Sequence, residues 1–186
     1  MKHFGLFVFL LFGFCGYTQQ TDYVDFKTAK ITIGIIPDSS RVMGMVDYQF
    51  KILKPVDSIF IDAINMTFES VSLNHETIPY SNDGKKLWLM HDFKNDSSYN
   101  LSFNYKANPK KALYFIDWEN ENGNKQIWTQ GQGKYTSNWL PSIDDMNDKI
   151  EFDLNIRFDK HYEVIANGDL TNKQINDSTI TWHYNM

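Results

Sequence analysis

Hydrophobic and polar residues alternate with a period of two along most of this chain. Val42, Gly44, Val46, Tyr48, Phe50 and Ile52 share one face of an extended segment, and Met45, Asp47, Gln49 and Lys51 share the other. Tyr99, Leu101, Phe103 and Tyr105 repeat the pattern against Asn100, Ser102, Asn104 and Lys106. So do Ile150, Phe152, Leu154, Ile156 and Phe158 against Glu151, Asp153, Asn155 and Arg157. These segments read as half-buried strands, with Phe152, Leu154 and Ile156 in a core and Asp153 and Asn155 in solvent. Shorter runs predict strands over 30–36, 58–64, 68–73, 86–90, 113–118, 162–166 and 179–184. Turn chemistry separates them at Pro37-Asp38-Ser39, Asn82-Asp83-Gly84, Asn95-Asp96-Ser97, Asn122-Gly123-Asn124 and Asn167-Gly168. No stretch holds a helical period beyond a turn or two. The pattern therefore predicts an all-β fold, an antiparallel sandwich or a saddle-like pair of curved sheets. With no linker, low-complexity tract or internal repeat, residues 19–186 read as one domain.

The N-terminus follows a different rule. Lys2 and His3 precede an apolar run from Phe4 to Phe14 and then Gly16-Tyr17-Thr18, the order of a secretory signal over residues 1–18. The run is too short to span a bilayer, so a secreted or periplasmic location is expected, with no stable membrane span. Cys15 at the end of the run raises a lipid anchor instead, against which stands Phe14, a large residue directly before it. Removal of the segment leaves no cysteine and moves the formal charge from −5 to −6. A domain without disulfides is held by its core, and the 16% aromatic content suits one. The acidic balance argues against a nucleic-acid partner, because phosphate binding wants a basic surface.

Candidate chemistry concentrates between Ile127 and Phe158. A Thr129-Gln130-Gly131-Gln132 element is followed by Trp139-Leu140-Pro141, an acidic loop Asp144-Asp145-Met146-Asn147-Asp148-Lys149, and the alternating strand. This order resembles the zinc aminopeptidases of the aminopeptidase N and leukotriene hydrolase type. There a T-Q-x-[EQ] element, an aromatic-x-P turn and a D-E-P-N-x-K-x-x-F loop lie in the domain before the catalytic one. Pro141, Asp144, Asp145, Asn147, Lys149 and Phe152 fall in register with the later part, and Thr129, Gln130 and Gln132 with the first. Upstream, Val42 to Phe50, Phe60-Ile61-Asp62-Ala63 and Val71 to Asn74 look like the family's opening strands, so the likeness runs from about residue 28 to the end. Three positions depart from the pattern: Ser137 stands where Arg is usual, Ser142 where many members have Cys, and Met146 where the loop usually has Pro.

The resemblance implies site residues. Gln132 would hold the free α-amine of a peptide substrate and Gln130 would flank the pocket for its first side chain, both amides projecting from one face of a strand. A Gln at the anchor position lacks the charge of a Glu, although the leukotriene hydrolase branch also carries Gln there. The family's G-x-M-E-N and H-E-x-x-H motifs are absent, and His3, His75, His91, His161 and His183 stand singly. No metal ligand, catalytic residue or cofactor is therefore assigned to this chain. The resemblance places zinc and catalysis in a domain downstream of Met186, with which this domain would partner in cis, and makes the chain a truncated piece, inactive alone.

Other features have plainer readings. Asp144, Asp145 and Asp148 lack the alternating oxygen spacing of a calcium loop and read as a structural loop closed by side-chain to backbone hydrogen bonds. Trp118, Trp128 and Trp139 cluster around the Gln element; as core or interdomain packing they fit the first reading. As an aromatic face they support the alternative of a stand-alone secreted module that binds glycan or protein. Asn65-Met66-Thr67, Asn95-Asp96-Ser97 and Asn176-Asp177-Ser178 match the glycosylation triplet, which an Asn-rich chain produces by chance.

Overall fold

The structure, a computed structural model, describes residues 19–186, and the signal-like segment 1–18 lies outside the described residues. Thirteen strands follow one another: β1 (Val24–Ile36), β2 (Arg41–Ile52), β3 (Val56–Asp62), β4 (Met66–Leu73), β5 (Glu76–Thr77), β6 (Tyr80–Asn82), β7 (Lys86–Phe93), β8 (Ser98–Ala107), β9 (Leu113–Ile116), β10 (Gln126–Thr129), β11 (Glu151–Asp159), β12 (Asp169–Ile175) and β13 (Thr179–Asn185). The regular helices among the described residues are three short 3-10 turns. The fold is thus all-β, as the alternation predicts.

Eight strands form the main sheet in the order β12-β13-β11-β1-β2-β8-β4-β5, and β3-β7-β6 form a second sheet packed on its inner face. Val46, Tyr48, Phe50, Leu101, Phe103, Leu154, Ile156 and Trp182 from the first meet Ile59, Ile61, Leu87, Leu89 and Phe93 from the second in one core. Phe50 of β2 and Phe93 of β7 touch edge to face across the layers, 5.9 Å between ring centres. Each such side chain, fully removed from water, contributes on the order of 1.5–3 kcal/mol before its ordering entropy is charged against it.

Where the strands differ from expectation, the cause is local. β1 begins at Val24, six residues before the predicted start, because a bulge between Phe26 and Thr28 interrupts the alternation. Val24, Phe26 and Ala29 are all buried, but two residues separate the last pair, so a strict period of two misses them. β11 runs parallel to β1, with Ile31 opposite Leu154, an exception within pairing that is otherwise antiparallel, as the pattern predicts. A parallel pair needs a long crossover, which the chain between the two strands supplies.

The strand predicted over 162–166 is irregular, and the Tyr184 hydroxyl donates to the Val164 carbonyl at 2.7 Å instead of a ladder. β12 was not predicted at all. Every residue of it is exposed, so as a sheet edge it has no core face to write a pattern into the sequence. β3 stops at Asp62 and β9 at Ile116, both short of the predicted ends. The amide of Ile64, beyond β3, donates to Ser137 at 2.7 Å.

Candidate functional site

β9 and β10 form a two-stranded hairpin that stands apart from both larger sheets. Leu113, Phe115 and Ile127 turn one face toward the core, while Tyr114, Ile116, Gln126 and Trp128 turn the other outward. Tyr114 and Trp128 face each other across the strands, ring centres 4.6 Å apart, and Trp128 stays 46% exposed. The ladder runs one step further, the Gln130 amide donating to the Ala112 carbonyl at 2.8 Å.

There the strand ends. Gln130 to Gln132 lie beyond β10 and not on a strand as the sequence predicted. Gly131 packs so closely that a Cβ would sit 2.7 Å from Thr136 Oγ1, and Gly133 and Lys134 take left-handed conformations with φ of 79° and 70°. The chain turns, and the Tyr135 amide donates to Gly131 at 3.3 Å. Gln130 and Gln132 nonetheless line one open depression of about 400 Å³, with Lys111, Ala112, Tyr114 and Tyr135. It is a turn, not strand periodicity, that brings the two amides to a common surface. Lys111, Tyr114 and Tyr135 went unrecognised in the sequence, where Tyr114 reads as an ordinary strand position and the other two as loop. Ala112, at the entry to β9, holds φ of 67°, a conformation that disfavours a side chain and recurs at functional positions.

The acidic loop is anchored on every side. Asp144 accepts from the Ser142 hydroxyl at 2.8 Å and from Ser137, and its own amide donates to Asp62 Oδ2 at 3.0 Å. Ser137 and Ser142 are two of the three positions that depart from the resembled pattern, and their hydroxyls meet on a single carboxylate. Asp62 and Ser142 also exchange backbone hydrogen bonds at 2.8 and 3.0 Å, tying the end of β3 to the loop. Burial pushes the Asp62 carboxyl up, and the Asp144 charge adds to that, against the pull of the Asp144 amide, Lys86 and Lys134. Burial also pushes Asp148 up to about 6, aided by the charges of Asp25 and Asp145.

Among the described residues, no three His, Cys, Asp or Glu side chains converge in a way that could hold a metal ion. The acidic loop spends its oxygens on the Ser137 and Ser142 hydroxyls and on the Phe26 and Asn147 amides, so it does not fit a zinc site. The tryptophans converge differently: Trp118, Trp128 and Trp139 line a cavity of about 330 Å³ between the hairpin and the main sheet. Trp139 is buried, and Trp118 packs on Phe158 and Tyr162 while its indole donates to Gln126 at 2.9 Å.

The family model of the Peptidase M1 N-terminal domain matches residues 21–186. Several solved structures share the fold. An M1 zinc metallopeptidase from Deinococcus radiodurans is 13% identical with a TM-score of 0.76. A mutant of an M1 zinc metallopeptidase from the same organism, bound to a Tyr-Ser-Ala substrate, is 14% identical with a TM-score of 0.74. A two-domain M1 zinc metallopeptidase mutant bound to L-arginine is 14% identical with a TM-score of 0.75. In each comparison the match covers 88% of this chain and 39% of the other, so the chain spans about two-fifths of the length of these proteins. No curated protein matches the chain.

Proposed function

The chain belongs to the Peptidase M1 N-terminal domain family, and from that premise we propose that it forms one wall of the substrate cleft of an exported zinc aminopeptidase. Metal and catalysis would lie on a domain that follows in the same polypeptide, and this chain would bind and orient. In this reading the Gln132 side-chain carbonyl accepts a hydrogen bond from the free α-ammonium of the peptide, and Gln130 borders the first side chain. The observation that carries the reading is that both amides line one open depression, next to exposed aromatic rings that can pack on a peptide. Because the Gln132 amide is neutral, the contact is worth on the order of 1 kcal/mol, or several-fold in rate constant.

Export rests on the apolar run from Phe4 to Phe14 behind Lys2. The zinc would polarise water in the following domain, a task for which no donor set converges among the described residues of this one. The test is kinetic, in the full-length enzyme, with aminoacyl anilides and N-blocked analogues as control. Gln132→Ala should lower kcat/KM several-fold for free N-termini, and Gln132→Glu should strengthen the amine contact. Gln130→Ala should shift preference among first side chains. Unchanged kcat/KM in both alanine variants would sink the assignment.

The Tyr114–Trp128 pair, half-buried at the tyrosine and exposed at the tryptophan, favours one second reading, a binding face for glycan or protein on a stand-alone module. An open reading frame carrying G-x-M-E-N and H-E-x-x-H beyond Met186 decides for the first reading; a true stop codon followed by an unrelated gene favours the second.

A further inference from the structure

We infer that the depression holding Gln130 and Gln132 selects peptides whose first residue is acidic and disfavours those beginning with Arg or Lys, with Lys111 as the discriminating side chain. The inference rests on the cleft reading above and adds a substrate class to it. Six residues line the depression, and their formal charges are uneven: Lys111 carries one positive charge, while Ala112, Tyr114, Gln130, Gln132 and Tyr135 carry none.

Nothing among the described residues neutralises Lys111. It makes no ion pair with any described carboxylate, and its side chain is exposed. Its ammonium lies 5.9 Å from the centre of the Tyr135 ring, over the same surface. Gln132 could have cancelled the charge had it been a Glu; as an amide it leaves the field of Lys111 intact. The backbone that carries Lys111 is also fixed in place, since the next residue, Ala112, is buried and its carbonyl accepts from the Gln130 amide.

A bound peptide brings its own α-ammonium to this surface. With a second cation on the first side chain, this wall would face three positive groups with no negative one among its six described lining residues. With a carboxylate there, Lys111 finds a partner and the field around the α-ammonium is reduced. Two unit charges ~6 Å apart change an equilibrium by roughly threefold in bulk-like water and by about a hundredfold at the effective dielectric of a protein surface. An open depression is well solvated and screened, which places the expected effect at about three- to tenfold.

The experiment compares kcat/KM of the full-length enzyme for near-isosteric pairs, Glu against Gln and Lys against Met, as N-terminal residues of otherwise identical anilides. The wild-type Glu/Gln ratio should be about three to ten and should fall with added salt, while Lys/Met should lie below one. Lys111→Gln should bring both ratios near one, and Lys111→Glu should invert them. Gln132→Ala, run in parallel, reports on the cleft reading itself. If Gln132→Ala lowers kcat/KM while the ratios ignore residue 111, the charge selection is overturned and the cleft reading survives. A wild-type preference for Lys or Arg overturns it equally. If neither Gln132 nor Lys111 matters, the cleft reading falls and takes this inference with it.

Discussion

The hydroxyl of Tyr48, on β2, donates a 2.8 Å hydrogen bond to the carbonyl of Pro141, both buried, at the start of the acidic loop. This bond ties a loop that has no ladder of its own to the centre of the main sheet. Burial first, and then the carboxylates of Asp144, Asp148 and Asp62, hold the phenol far above its ordinary pKa, so it remains a donor. Tyr48→Phe keeps the ring and strands the Pro141 carbonyl. The expected cost is about 1–3 kcal/mol, read as a lower urea midpoint with an unchanged slope.

Asp148 makes stability depend on pH. Its folded-state pKa is raised to about 6, chiefly by burial, with Asp25 and Asp145 adding and the Phe26 amide and Lys27 opposing. A carboxyl with a raised folded pKa holds its proton more tightly when folded. Its contribution is therefore fully present below the ordinary carboxylate range and is lost as pH rises through about 6. Asp62 is shifted in the same direction. Asp148→Asn, which keeps an oxygen toward the Phe26 amide, should flatten the fall in unfolding free energy between pH 4 and 7 and stabilise the domain at pH 7. Urea titrations at four pH values across that window check it; an unchanged slope against pH would contradict the assignment.

Asn155 lies on the face that alternation assigns to solvent, yet it is half-buried and bridges three strands. Its Nδ2 donates to the Ile31 carbonyl at 3.2 Å and to Thr32 Oγ1 at 3.3 Å on β1, and its Oδ1 meets His183 Nδ1 on β13. Asn155→Ala should therefore cost about 1–2 kcal/mol. Asp153→Ala, two residues earlier and exposed, should stay within about 0.5 kcal/mol. Thermal melts of the two variants separate the cases.

Gly44 sits in the core-facing row of β2. A Cβ there would meet Tyr105 Cε1 at 2.6 Å and the Thr32 carbonyl oxygen at 2.8 Å, one a buried ring and the other backbone. Neither can move cheaply in a packed sheet. Gly44→Ala should cost about 1–3 kcal/mol through overpacking, measurable by the urea midpoint.

Local regularity is what the sequence alone determined. β2, β8 and β11 were legible because one face of each is buried and a period of two records that fact residue by residue. The family, too, was legible in the spacing from Thr129 to Phe152, which is a property of the chain rather than of the fold. Other features came from contacts between residues far apart in sequence, which no local window records. The bulge after Phe26 hid the first half of β1, and the exposed edge β12 had no burial to reveal it. Tertiary structure decided that β11 lies parallel to β1 and that the Ser137 and Ser142 hydroxyls share Asp144. It also decided that Gln130 and Gln132 reach one depression through a turn, beside a lysine nineteen residues before Gln130 in the chain. The physical reason is common to these cases: burial writes its period into a strand one residue at a time, whereas pairing partners, loop anchors and the charge on a surface depression are set by which distant segments meet.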